Sequence, residues 1–201
     1  TNPGTTNPQI SGEVSIIDDK VISINGDNIK KINVNGKTFD LSSPNSSTNF
    51  SKTSVDGIET HASGTHIKYA KYGFIIDGYD AVDYLFYQGE KTPIANIPNS
   101  GTANYIGQSL YICGDCDDEA IQGTSKFSVD FGKKTLSGSI SNTQASDIAL
   151  NATIFGNTFT GTNDAGTKTH GAFFGDKAQE VSGIFNNDKQ DFAGAFGASK
   201  Q

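Results

Sequence analysis

Along the second half of the chain, apolar and polar residues alternate with a period of two, and glycines interrupt the alternation at short intervals. Phe127, Val129 and Phe131 share one face, while Lys126, Ser128 and Asp130 share the other. Ile148, Leu150, Ala152 and Ile154 line a second stripe, Val181, Gly183 and Phe185 a third, and Phe192, Gly194 and Phe196 a fourth. Such a period marks strands with one face in a core and the other in water. Eight strands are predicted, near 102–113, 121–132, 134–141, 146–154, 156–163, 169–175, 179–186 and 190–197. Eight antiparallel strands close into a barrel just wide enough for its own side chains. A phenylalanine ring beside a glycine lets those side chains interdigitate, so the barrel is expected to be a packed core rather than a ligand cup.

The first half reads differently. Gly12 to Ser23 and Lys30 to Leu41 have the composition of short strands, and Asn35-Gly36 is a two-residue hairpin signal. Ser42 to Thr60 is polar and irregular and is expected to be a long exposed loop. The run THIKYAKYGFIIDGYDAVDYLFYQGEKTP predicts two or three strands, with Gly73, Gly78 and Gly89 at bends or turns. Pro, Asn, Ser and Gly cluster at 96–101 and mark a boundary. The expected fold is therefore all-β: a flexible leader at 1–8, a small N-terminal β domain with long loops at 9–99, and an eight-stranded antiparallel β-barrel at 100–201.

Charge and composition narrow the function. The chain carries 15 Lys plus Arg against 22 Asp plus Glu, a net charge of −7. An acidic surface repels phosphate backbones, which argues against a nucleic-acid partner. No apolar run approaches the roughly 20 residues that span a bilayer as a helix. Met is absent, and removal of an initiator region is expected. Cys113 and Cys116 sit in CGDC. A thioredoxin-like redox pair and a zinc half-site are both conceivable, but no α/β pattern and no second pair of ligands accompany them. The third reading is a small disulfide closing a strand-end turn in an oxidising compartment. No nucleophile elbow, HExxH, P-loop or dinucleotide fingerprint occurs, so no enzyme is expected. Asp115, Asp117, Asp118 and Glu119 read as a solvated acidic turn, and Asp77, Asp80 and Asp83 as surface charges.

The runs PNSGTANYIGQSLY, FSVDFGKKTLSGSI, FGNTFTGT, GAFFGDKAQEVSGIFNN and FAGAFGAS look like the barrel repeats of the transferrin-binding protein B superfamily. YLFYQGEKTPIANIPNSG resembles the strand and linker that enter that barrel, so the likeness covers roughly 84–198. One small N-terminal domain followed by one barrel resembles the hemophilins. That resemblance implies a secreted haem-binding protein that delivers haem b to an outer-membrane receptor. Its haem would be held in the N-terminal domain by one or two histidines and taken, in one version, from a host haem-carrying protein. Other small relatives are surface lipoproteins that bind a host protein, a transferrin or a complement regulator. Both readings place the chain outside the cell, secreted or on the outer face of a Gram-negative outer membrane.

Haem ligation needs a neutral imidazole nitrogen and an apolar enclosure. His61 and His66 are five residues apart, a spacing that does not share a helix face, and Ala62-Ser63-Gly64-Thr65 between them suits a flexible loop. Such a loop would bring one or both imidazoles to the iron. The expected walls are Ile67, Tyr69, Tyr72, Phe74 and Ile75, with Phe50 and Ile58 from the preceding loop. Lys68 and Lys71 would meet the propionates, and Tyr69 or Tyr72 would serve as a reserve ligand. His170, at the start of a barrel strand in THGAFFG, is expected to be structural.

Overall fold

The structure, a computed structural model, describes residues 9–17, 20–42, 49–114, 116 and 120–201. The expected leader at 1–8 and the acidic residues Asp115, Asp117, Asp118 and Glu119 lie outside the described residues. The N-terminal half contains β1 (Ile10–Ile16), β2 (Val21–Gly26), β3 (Lys31–Val34), β4 (Lys37–Asp40), β5 (Ser51–Val55), β6 (Ile58–Ala62), β7 (Ala70–Asp77) and β8 (Val82–Glu90). A single 3-10 turn at Ile94–Asn96 follows. The second half contains β9 (Thr102–Cys113), β10 (Ile121–Asp130), β11 (Thr135–Ser141), β12 (Ile148–Phe155), β13 (Thr158–Thr162), β14 (Lys168–Phe174), β15 (Glu180–Asn187) and β16 (Phe192–Lys200). Among the described residues there is no α-helix.

The second half closes as the alternation predicts. Its strands run β10-β11-β12-β13-β14-β15-β16-β9 and back to β10, all antiparallel. Phe127, Val129, Phe131, Leu150, Ile154, Val181, Phe185 and Phe196 fill the interior. Four phenylalanines stand directly opposite glycines on the neighbouring strand: Phe127 and Gly138, Phe159 and Gly171, Phe185 and Gly194, Phe196 and Gly183. Each ring takes the volume its partner lacks, and buried side chains fill the interior in place of a cup. Cys113 and Cys116 form a disulfide at the end of β9, the third of the readings open from sequence.

The first half is a six-stranded sheet, order β2-β1-β8-β7-β6-β5, with the β3–β4 hairpin laid over it. Asn35 and Gly36 turn that hairpin with positive φ of 52° and 87°, which matches the Asn-Gly signal. Both faces of its central strands β7 and β8 are buried, while the edge strands β2 and β5 are largely exposed. Tyr72, Phe74, Leu85 and Tyr87 pack on the outside of the barrel against Leu110, Ala172, Phe174, Ile184 and Ala195. Val14, Ile24, Ile75, Tyr84 and Phe86 pack against Ile32, Val34 and Phe39 of the hairpin. Burying one such side chain contributes about 1.5–3 kcal/mol, and this double covering fixes the sheet on the barrel. Gln88 donates to the carbonyls of Ile29 and Lys31, at 3.0 and 2.8 Å, and pins the hairpin from beneath.

Three expectations are corrected. The exposed loop over Ser42–Thr60 is in large part a hairpin, β5–β6, with 43–48 outside the described residues. It turns at Asp56-Gly57, with φ of 48° and 71°, an Asp-Gly signal as strong as the Asn-Gly one. Gly73 and Gly89 are not bends; they lie inside β7 and β8, where neighbouring backbone leaves no room for a Cβ. Asp77 is not a surface charge. It is fully buried and ion-paired to Lys37, tying β7 to the hairpin.

Candidate functional site

The residues expected to surround a ligand are divided between two ends of the sheet–barrel interface. At one end lie His66, Ile67, Lys68, Tyr69 and Tyr72. Tyr72 is fully buried, and its hydroxyl donates to the Gln108 carbonyl at 2.9 Å on barrel strand β9. His66 Nε2 lies 2.8 Å from the same hydroxyl. Phe50 stacks edgewise on Tyr72, with centroids 5.3 Å apart, and lies 5.6 Å from the His66 ring. Burial pushes the Tyr72 phenol well above its ordinary value. The backbone amides of Lys68 and Tyr69 donate to the buried Glu180 carboxylate of β15, at 2.6 and 2.8 Å. Burial raises Glu180 despite those two bonds. Lys68 lies 4.9 Å over the Tyr69 ring, and the Tyr69 hydroxyl accepts from Gln179 at 3.3 Å. Lys71 donates to the carbonyls of Ser63 and Gly64, and burial lowers its pKa. Ile75 faces the hairpin, on the other side of the sheet. This end is a packed joint.

His61 belongs to the other set. It is in β6, not in a loop, directly opposite Phe74 on β7, so both rings share the barrel-facing side. Their centroids are 6.2 Å apart. His61 Nε2 lies 2.6 Å from Glu59, which also pairs with Lys52 at 2.9 Å. Burial would raise Glu59, but Lys52 and His61 outweigh it and hold the carboxyl below its ordinary value. The two expected ligands thus each engage Nε2 with a neighbour.

Phe74 leads to a cleft of about 960 Å³ where the sheet diverges from the barrel. Its sheet wall is Ile16, Ile17, Phe74 and Ile76; its barrel wall is Ile112, Phe192 and Ala193. Lys20, Asp83, Lys168, His170, Asp188 and Asp191 carry the polar groups around it. Lys168 is held by Asp188 at 2.7 Å. Its volume falls in the range of small-molecule sites, but the cleft is half open and its lining is polar and charged as much as apolar. Along β16, Ala193 in the cleft is four residues, roughly 13 Å, from Gly197 beneath Tyr72.

His170 lies at the start of a barrel strand, as the sequence predicts. In β14 its side chain alternates outward from the barrel with Ala172 and Phe174, and those two lie in the sheet–barrel core. The signal was present: GAFF, VSGIF and FAGAFGA are apolar at successive positions, as in strands buried on both faces. A covered outer face there brings His170 to the seam. The cleft joins apolar wall residues, an imidazole and rim lysines in one place, the donor types that haem ligation asks for.

Residues 97–200, more than half of the chain, match the family described as C-lobe and N-lobe beta barrels of Tf-binding protein B. An uncharacterized protein of Haemophilus influenzae is 34% identical over 217 residues, covering 95% of this chain and 73% of that protein. Transferrin-binding protein B of Neisseria meningitidis is 30% identical over 138 residues, 53% of this chain and 20% of that protein. The crystal structure of a Transferrin Binding Protein B variant from Haemophilus parasuis Hp5 superposes with a TM-score of 0.71 at 25% identity. That match covers 96% of this chain and 44% of that one, so the chain spans less than half of that relative's length. By the match over its barrel, the chain belongs to the family of Tf-binding protein B beta barrels.

Proposed function

We propose that the chain captures haem at the outer face of a Gram-negative cell, without catalysing a reaction, and yields it to an outer-membrane receptor. The observation that carries this reading is the cleft between sheet and barrel, which sets the apolar side chains Phe74, Ile76, Ile112 and Phe192 beside His170, with Lys20 and Lys168 at its rim. Haem would supply the iron and a large flat apolar surface. The protein's part is enclosure: Phe74, Ile76, Ile112 and Phe192 exclude water from the ring. Titration of the purified protein with ferric haem tests it. A saturable Soret shift at one equivalent is expected, and a purely linear haem spectrum would end the reading.

A second reading has its own observation. At the tip of the sheet, Tyr79 and Val55 are 69% and 65% exposed, although the turns that carry them are fixed. Lys37 binds Asp77 and Asp80, and the Tyr79 ring rests 3.5 Å from where a side chain on Gly57 would begin. An exposed aromatic on a rigid turn is a typical protein-binding anchor. On this reading the chain holds a host protein, as its relatives named for transferrin are said to do. Capture of a serum protein, with no spectral response to haem, would favour it over the first.

A further inference from the structure

Of the three histidines, His170 alone lines the cleft. Across the seam stands Glu13 of β1, whose Oε2 is 3.7 Å from His170 Nδ1. That oxygen is inaccessible to solvent and makes no hydrogen bond, although the Tyr87 hydroxyl faces the same carboxyl group. Buried acceptors are seldom left in this state, and each one that is needs a reason. His170 Nε2, for its part, has no hydrogen-bond partner among the described residues.

Resting on haem capture in the cleft, we propose that His170 ligates the iron through Nε2, with Glu13 as its positioning residue. A small closing of the 3.7 Å gap turns the ion-pair contact into an Nδ1–H donation to Glu13. That bond fixes the tautomer, leaves the lone pair on Nε2 and raises its basicity, the arrangement common to metal-bound histidines. It also satisfies the orphan oxygen. The ligand then comes from the barrel wall, where His170 is paired on both sides, to Thr160 of β13 and Ile184 of β15. The positioning group comes from the sheet. The site is therefore complete only while sheet and barrel are joined.

The test compares visible and electron-spin spectra of the ferric-haem complexes of wild type, His170→Ala, His170→Gly, Glu13→Gln and the His61→Ala/His66→Ala double variant. Circular dichroism of each apo protein checks the fold, which the half-exposed His170 ring should not decide. His170→Ala is expected to lose the histidine-ligated spectrum, and added imidazole to restore it in His170→Gly. The double variant is expected to keep the wild-type spectrum. Glu13→Gln is expected to keep the spectral type with affinity lowered by about 10–100-fold, the usual cost of losing such a partner. A wild-type spectrum in His170→Ala overturns the assignment while leaving haem capture standing. No spectral response from wild type removes both. Unchanged affinity in Glu13→Gln removes the role given to Glu13.

Discussion

A Cβ on Gly138 would fall 2.2 Å from Cδ1 of Phe127, the residue directly opposite it in the barrel wall. The same relation holds between Gly194 and Phe185, at 2.3 Å from Cζ. Alanine at either position must displace a buried ring in a close-packed interior. Gly138→Ala and Gly194→Ala are each expected to lose about 1–3 kcal/mol, read as a lower urea midpoint at constant slope. The double variant should lose close to the sum if the two rings adjust independently.

Tyr72→Phe removes the hydroxyl shared by the Gln108 carbonyl and His66 and keeps the ring. A loss of about 1 kcal/mol is expected, again from denaturant midpoints. The haem spectrum should not change, because Tyr72 sits in the packed end of the interface and not in the cleft. A changed spectrum would return Tyr72 and His66 to the ligand list.

Asp77 is buried, and burial alone would raise its pKa; Lys37 and the amides of Tyr79 and Asp80 more than offset this and hold it low. A carboxyl lowered in the fold stabilises above its unfolded value, about 3.9, and loses that contribution as pH falls through the lowered folded value. Asp77→Asn should therefore be less stable than wild type at pH 7, and the difference should shrink in acid below about pH 4. Thermal melts at pH 7, 5, 4 and 3 give the comparison. A gap constant across that range would mean that the ion pair contributes nothing.

Tyr79→Ala with Val55→Ser should leave both stability and haem spectra unaltered, since both side chains are largely exposed. Pull-down from serum before and after the change tests whether the sheet tip grips a protein. Retained capture of the same serum protein by the variant would move that surface elsewhere.

Much of the barrel was legible because each strand carries its own message. In β12 the burial alternates residue by residue from Ile148 to Phe155, as the stripe of Ile148, Leu150, Ala152 and Ile154 implies. The β5–β6 hairpin was missed because Ser51, Lys52, Thr53 and Ser54 are polar on both faces, and only Asp56-Gly57 announces the turn. The cleft was not legible at all. It is lined from β1, β2, β7 and β8 on one side and from β9, β14, β15 and β16 on the other, and no local pattern states which strands of one unit will cover which strands of the other. His61 and His66 drew attention because they are near in sequence; His170 and Glu13 meet across more than 150 positions, where spacing carries no information.

Whatever fills the space between Phe74 and Phe192 touches both halves of the molecule. Its binding must strengthen their cohesion, and by reciprocity any force that prises them apart must weaken its hold by the same free energy. A cargo carried in a joint is unloaded by working the joint. On the haem-capture reading, an acceptor would need only to part the two walls, and never to reach the cargo itself.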